Sequence, residues 1–325
     1  MKRQTIPFNY LRSLVWVKDG LVDYANAGLK YYLSGGTKQL YQITYGFGDR
    51  AICSEDGQYA FIYQNLGTKG LLLKNGELVR EINRSYYQAD VYEYPAAFLA
   101  YLGRTYLIHC PISYCRLDIE DVESGEIITA GQDREPMDCF HSRLELSSDG
   151  KYLLSKGWYW HPWDCISVYN VEECFNDPSQ LDRGGLEPPV STEICTASFI
   201  DNHRVLIGTS GEEAMNDEIE DVVPRKNVAV WNILENTIAS PTKVLAEFGN
   251  LFAIDDQYFW DTYQFPKIID RHTGIVVDQL ASLPTSNQNS SIVHHIDPLI
   301  AIAFDKKTKQ IAFVNGNNIE ILSPE

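Results

Sequence analysis

Short stretches in which hydrophobic and polar residues alternate recur along the whole chain, each interrupted by a polar turn. The two clearest copies, residues 52–63 and 144–154, carry a Ser-x-Asp-Gly sequence between their halves. Asp-Gly between alternating hydrophobic residues predicts a β-hairpin. Weaker copies occur at residues 14–24, 98–108, 197–207, 251–260 and 301–313. The pattern therefore predicts seven hairpins, spaced by roughly 40 to 55 residues.

A third hydrophobic strand follows most of these hairpins. The predicted third strands are residues 70–73, 115–119, 166–169, 228–231 and 267–269. Repeating units of about 40 to 50 residues with four short strands are typical of β-propeller blades. We therefore predict an all-β fold, a seven-bladed β-propeller of four-stranded blades that forms one domain over residues 1–325.

The last unit indicates how the ring closes. It offers three strands, at residues 299–304, 311–314 and 319–322, after which the chain ends. The N-terminal segment 5–8 is the remaining candidate for a fourth strand. Because closure hides exposed strand edges, we expect the N-terminal strand to complete the last blade.

Composition and charge narrow the classes of function. Hydrophobic residues are 44% and aromatic residues 12% of the chain, which argues against a disordered or coiled-coil protein. A net charge of −17 disfavours binding to nucleic acid or anionic membranes. There is no apolar run long enough to span a membrane, no secretory signal, and no disulfide-like spacing of the cysteines. We expect a cytoplasmic monomer.

Several motifs resemble known propeller proteins. Residues 230–232 (Val-Trp-Asn) and 168–170 (Val-Tyr-Asn) occupy the position where a WD-repeat blade ends its third strand with Trp-Asp. The chain thus resembles a divergent WD40-like propeller, although the Gly-His element of that family is missing. More specifically, the first half is similar to a group of uncharacterised bacterial propeller proteins. The matching motifs are residues 67–76, 80–87, 91–95, 140–143 and 157–164. This resemblance implies the fold and a bacterial cytoplasmic setting, but no reaction.

The predicted topology brings four separate stretches to one face of the ring. Connections from a fourth strand to the next first strand, and from a second to a third strand, open on the same face. Residues 80–95, 111–114, 138–141 and 159–164 all belong to such connections on adjacent blades. Aromatic and arginine side chains of this kind favour interfaces and ligand sites. The candidate binding residues are Arg84, Tyr86, Tyr87, Asp90, His109, His141, Arg143, His161 and Trp163.

We predict a non-catalytic binding protein whose partner is a protein, a peptide or a small polar ligand, with no cofactor. The alternative is a propeller hydrolase or lyase with His109, His141 and His161 at the channel mouth. A metal there would need Cys110, Cys139 or Cys165 as a fourth ligand, but no zinc-motif spacing is present.

Trp158 and Trp160 would share one side of a strand, so at least one of them is expected in the core, whereas Trp163 is expected in an exposed turn. The acidic segment 212–221 fits either a docking surface for a basic partner or a solvated loop.

Overall fold

The protein folds into seven antiparallel sheets, which the computed structural model describes for residues 1–131, 134–212, 221–293 and 299–325. The strands of the first three sheets, with the N-terminal strand, are β1 (Lys2–Pro7), β2 (Val15–Val17), β3 (Gly20–Asp23), β4 (Leu29–Tyr32), β5 (Thr37–Gln39), β6 (Arg50–Cys53), β7 (Tyr59–Tyr63), β8 (Lys69–Lys74), β9 (Glu77–Asn83), β10 (Ala96–Tyr101), β11 (Arg104–His109) and β12 (Asp118–Asp121).

The other four sheets are formed by β13 (Cys139–Phe140), β14 (Glu145–Leu146), β15 (Tyr152–Tyr159), β16 (Trp163–Asn170), β17 (Ile194–Phe199), β18 (Arg204–Thr209), β19 (Asn227–Asn232), β20 (Thr237–Lys243), β21 (Leu251–Ala253), β22 (Tyr258–Asp261), β23 (Lys267–Asp270), β24 (Val276–Gln279), β25 (Ala303–Asp305), β26 (Gln310–Asn315) and β27 (Asn318–Ser323). One α-helix, α1 (Val171–Asn176), and one 3-10 turn (Pro178–Leu181) follow β16. No helix in the described part of the chain is long and apolar enough to cross a membrane.

Each sheet is one blade of a propeller, numbered here in chain order from β2. Blades 1, 2, 5 and 6 each contain four consecutive strands. In blade 4 the first strand is divided into β13 and β14, which both pair with β15. The outer position of blades 3 and 4 is reduced to single bridges, Glu120 with Ile127 and Val168 with Leu186. The all-β, seven-bladed prediction is confirmed.

The N-terminal strand closes the ring, as predicted. β1 pairs antiparallel with β27, from Lys2 opposite Ser323 to Pro7 opposite Asn318. The blade order follows the chain, because the innermost strands of consecutive blades contact one another and β25 of blade 7 contacts β2 of blade 1. Hydrophobic side chains fill the space between neighbouring blades, as where Leu154 of blade 4 packs in one cluster with Trp231 of blade 5.

The repeated Ser-x-Asp-Gly sequence forms the predicted hairpin turn. The Ser147 hydroxyl donates a hydrogen bond to Asp149 Oδ1 (2.7 Å) and accepts one from the Tyr152 N–H (3.0 Å). Gly150 has a φ of 70°, a conformation that glycine adopts without strain. Ser54 and Asp56 repeat this arrangement in blade 2. These turns lie on one face of the ring. The connections between blades, together with those between second and third strands, lie on the other, which we call the loop face.

Candidate functional site

Connections of blades 2, 3 and 4 meet on the loop face around a group of aromatic rings. The ring centroid of Tyr87 lies 4.8 Å from that of Tyr114, which in turn lies 4.5 Å from Phe140. Trp158 stacks on Phe140 at 4.0 Å with an angle of 2° between the planes, and Trp160 meets Trp158 edge-on at 5.3 Å. We call these five residues the aromatic shelf. The expected convergence of separate connections on this face is therefore present.

The shelf is anchored in the core at one end and exposed at the other. Trp158 lies in β15 and is 3% exposed, whereas Trp160, one position past the end of that strand, is 40% exposed. Trp158 is thus the core member of the pair. Gly157 makes the packing possible, because a Cβ atom there would lie 2.1 Å from the Phe140 carbonyl oxygen. Phe140 is not among the predicted binding residues, although it lies within residues 140–143, one of the motifs similar to bacterial propeller proteins.

Four of the predicted binding residues are exposed on this face. Tyr86 is 87% exposed, and Tyr87, Asp90 and His161 are also exposed. His161 lies at the tip of the β15–β16 hairpin with a φ of 86°. These side chains are accessible to a partner.

Arg84 was expected on the surface but is buried, with 4% of its area exposed. Its guanidinium donates hydrogen bonds to backbone carbonyl groups of Asn65, Gly67, Ala89 and Tyr92, among others. Burial lowers the pKa of Arg84. The side chain holds the connection from blade 2 to blade 3 in shape, which corrects its expected place on the binding face.

Two of the three candidate histidines are buried as well. His109 Nε2 lies 2.8 Å from Glu120 Oε2, inside blade 3. His141 Nδ1 lies 3.0 Å from Ser155 Oγ, and burial lowers its pKa to about 4, so the ring is neutral at pH 7. Neither ring belongs to the surface on which it was expected. Within the described ranges, no three His, Cys, Asp or Glu side chains are arranged to hold a metal ion.

Arg143 is half-buried and points toward the ring axis. Its terminal nitrogens donate hydrogen bonds to the Cys195 carbonyl oxygen (3.0 Å), to Ser291 Oγ (2.6 Å) and to Asn250 Oδ1. These partners belong to blade 5 and to the connections that enter blades 6 and 7. The predicted binding residue therefore links parts of the ring to one another.

Residues 288–293, which follow blade 6, lie across the channel mouth on the loop face. Gln288 donates a hydrogen bond to Glu93 Oε1 (2.7 Å), and the Ser291 N–H donates to Asp164 Oδ1 (2.8 Å). Ile292 forms a β-bridge with Tyr92. Blade 6 and the connection between blades 2 and 3 lie on opposite sides of a seven-membered ring, so residues 288–293 cross its centre. The crossing of the ring by residues 288–293 is not among the predictions from the sequence. The long polar stretch after β24 is the signal that could have indicated it.

A small cavity lies between blades 4 and 5, beside the shelf. Its volume is about 80 Å³, and its lining includes Tyr159, Trp163, Asp164, Glu187 and Thr192. Trp163 was expected in an exposed turn, but it begins β16 opposite Tyr159 and is half-buried. The Tyr159 hydroxyl donates a 2.5 Å hydrogen bond to Glu187 Oε1. Thus the tip of the β15–β16 hairpin carries the shelf on one side and this cavity on the other.

Asp164 is the most perturbed carboxyl group of the site. It is 2% exposed, and burial raises its pKa to about 7, against the opposing influence of Arg143. The neighbouring Glu193 carboxyl, which accepts a hydrogen bond from the Asp164 N–H (2.8 Å), adds to the increase, and burial raises its own pKa too. Neither residue is predicted as part of the site, because nothing in their local sequence shows that they are buried together.

The surroundings of the shelf are acidic. Asp90, Glu135, Asp138 and Glu187 are exposed in the connections that surround it. Of the cations in these connections, Arg84 is buried, Arg116 and Arg134 form ion pairs with Asp118, and Arg183 is exposed. The predicted acidic segment 212–221 lies, except for its two ends, outside the described residues.

Comparisons with known proteins identify the fold and no family. No protein-family model and no curated protein matches the sequence. A chain of the mitotic checkpoint complex matches with a TM-score of 0.62 and 9% identity over 99% of this chain and 91% of that chain. Virginiamycin B lyase from Staphylococcus aureus matches with a TM-score of 0.57 and 12% identity over 100% and 99% of the chains. A streptogramin B lyase matches with a TM-score of 0.55 and 12% identity over 98% and 97%. At such identities the likeness concerns the propeller fold alone.

Proposed function

We propose that this protein is a non-catalytic binding protein that engages a partner polypeptide through the aromatic shelf and the neighbouring Tyr86. The observation that carries the proposal is the position of the exposed aromatic side chains. In the described part of the chain, the strongly exposed ones are Tyr10, Tyr86, Tyr87 and Trp160, and all four lie on the loop face. Three of them are gathered at the shelf. Exposed aromatic residues next to a packed aromatic base are the usual anchors of protein interfaces.

The position of residues 288–293 across the channel mouth favours an off-centre site. Residues 288–293 use their own polar groups to bind Glu93, Asp164 and Tyr92, so a ligand approaching along the axis would first have to displace them. The shelf needs no such displacement. The partner therefore contacts the loop face of blades 3 and 4.

The fold does not choose between binding and catalysis, because its neighbours include a component of a checkpoint complex and two lyases. The histidines of the enzyme alternative do not form one site, since His109 and His141 are buried against different partners and His161 is exposed. The residues of the loop face therefore support the binding proposal better. A cytoplasmic location and a monomeric state stay predictions.

A random linear-peptide phage library selected on the purified protein tests the proposal. We expect peptides whose binding weakens by about 30-fold or more, about 2 kcal/mol, in Tyr86→Ala and Trp160→Ala, because each truncation removes an interface anchor. Affinity is measured by isothermal titration calorimetry with the synthetic peptides.

Tyr10→Ala is the matched control. Tyr10 is 47% exposed on the same face but lies in the connection between blades 7 and 1, away from the shelf. It should bind the selected peptides like the wild type. Selected peptides that are equally sensitive to all three substitutions, or to none, would show that the shelf is not the binding surface.

A further inference from the structure

The charged groups around the shelf favour a cationic partner. Asp164, Glu187 and Glu193 face or adjoin the cavity between blades 4 and 5, and within the described ranges none of them has an ion pair with lysine or arginine. Asp164 is buried beside Arg143, whose terminal nitrogens are committed to uncharged oxygen atoms. Glu187, and Asp164 when it is ionised, therefore place negative charge on this side of the hairpin tip, and Arg143 offsets it only at Asp164.

The cavity has walls that suit a cationic head group. Tyr159 and Trp163 stand opposite each other on β15 and β16, and both line it. The faces of such rings attract cations. The hydrogen bond from the Tyr159 hydroxyl fixes the Glu187 carboxylate next to the opening. A volume of about 80 Å³ holds two or three groups of about the size of a water molecule, which suits an ammonium or a guanidinium group.

We propose that this cavity binds one lysine or arginine side chain of a peptide that lies over the aromatic shelf. The inference rests on the proposed function, because the peptide backbone and its apolar residues are held by Tyr86, Tyr87 and Trp160. The peptide passes over the hairpin tip. It places an apolar side chain on the blade 3 side and the cationic group beside Glu187 on the blade 5 side.

The selected peptides provide the test. We expect a lysine or arginine at one fixed position, and replacing it by norleucine, which has a similar length but no charge, should weaken binding by about tenfold or more. Glu187→Gln should weaken binding of the basic peptide to a similar extent while leaving the norleucine peptide unchanged. Glu135→Gln, the matched exposed acid away from the cavity, should have less than about a twofold effect.

Three outcomes overturn this inference in different ways. Shelf-dependent peptides without a conserved basic residue would refute the cation site and leave the binding proposal intact. Equal losses in Glu187→Gln and Glu135→Gln would show general attraction to an acidic face, with no role for the cavity. If no peptide depends on the shelf, the proposed function fails first and the cation site fails with it.

The pH dependence of peptide affinity is a second test of the cation site. Asp164 is faced by Arg143, Glu193, Cys165 and Cys195. Burial raises the pKa of Cys195, and a hydrogen bond to Cys139 together with burial raises that of Cys165, so both thiols stay neutral near pH 7. Asp164, whose pKa is about 7, therefore changes charge in this range.

A cation in the cavity favours the ionised form of Asp164. Since the pKa of that carboxyl is about 7, affinity for the basic peptide should rise as the pH increases from about 6 to about 8. The norleucine peptide should show no such rise, and Asp164→Asn should abolish it for the basic peptide. A rise of equal size for both peptides would contradict the assignment.

Discussion

Two groups of residues on the same face of this propeller, all predicted to bind, behave in opposite ways. Arg84, His109 and His141 lie inside the blades with their polar groups bonded to the protein, whereas Tyr86 and His161 extend into solvent. Apart from His109, which ends β11, both groups belong to the same convergent connections. The difference shows that a connection which presents some polar side chains on the loop face uses other polar side chains to hold its own backbone in place.

Arg84 shows why a long connection between blades needs a buried charged residue. Residues 84–95 run between blades without strand partners for most of their backbone, and buried carbonyl groups need donors. One guanidinium offers five N–H groups in a fixed arrangement. It therefore satisfies several carbonyl oxygens at once, and it also packs on the rings of Tyr92 and Tyr94 at 4.4 and 4.8 Å.

The largest expected effect is therefore that of Arg84→Ala. Removing the side chain takes the Arg84 donor away from the carbonyl groups of Gly67, Ala89 and Tyr92, and it empties the space beside two tyrosine rings. We expect the free energy of unfolding to fall by at least about 3 kcal/mol, measured by urea denaturation. Arg84→Lys should recover only part of the loss, because an ammonium group lacks the planar fork.

Arg183→Ala is the control, since Arg183 is an exposed arginine of another blade. It should change the free energy of unfolding by less than about 0.5 kcal/mol. A stable Arg84→Ala variant with a defect only in peptide binding would show that Arg84 acts in binding. The distinction between buried structural residues and exposed binding residues would then not hold.

His141→Gln should have an intermediate effect that depends on pH. Because burial lowers the pKa of His141 to about 4, the unfolded chain takes up a proton more readily than the folded protein below about pH 6.5. The wild type thus loses stability from this residue as the pH falls from about 6.5 toward 4. The variant lacks that loss, so its destabilisation, about 1 to 3 kcal/mol at pH 7.5, should shrink at pH 5.

Thermal denaturation at both pH values measures this change. His161→Gln, at the exposed histidine, should leave the melting temperature at pH 7.5 nearly unchanged. A destabilisation of His141→Gln that is constant between pH 5 and 7.5 would mean that the buried ring is not held neutral.

The sequence predicts the fold far better than the site. Turn residues such as Asp149 and Gly150 and the alternation in the strands are local signals, so the hairpins, the blade number and the N-terminal closure follow from them. Burial of a loop residue is not local. Arg84 is hidden by the path of residues 84–95, and Asp164 by residues 288–293, which are more than a hundred positions away in the sequence. No pattern around either residue carries that information.

Tyr86→Ala should have the smallest effect on stability. The side chain is 87% exposed, so its truncation removes little buried area and leaves no polar group without a partner. We expect the melting temperature to change by less than about 2 °C, which corresponds to less than about 0.5 kcal/mol. Tyr92→Ala is the contrasting variant in the same connection, because Tyr92 is fully buried and packs against Phe140. It should lower the melting temperature by several times as much, since truncating a buried aromatic ring costs about 3 to 5 kcal/mol. Equal melting temperatures for the two variants would show that the connection is equally loose throughout, and the division between its buried and exposed halves would not hold.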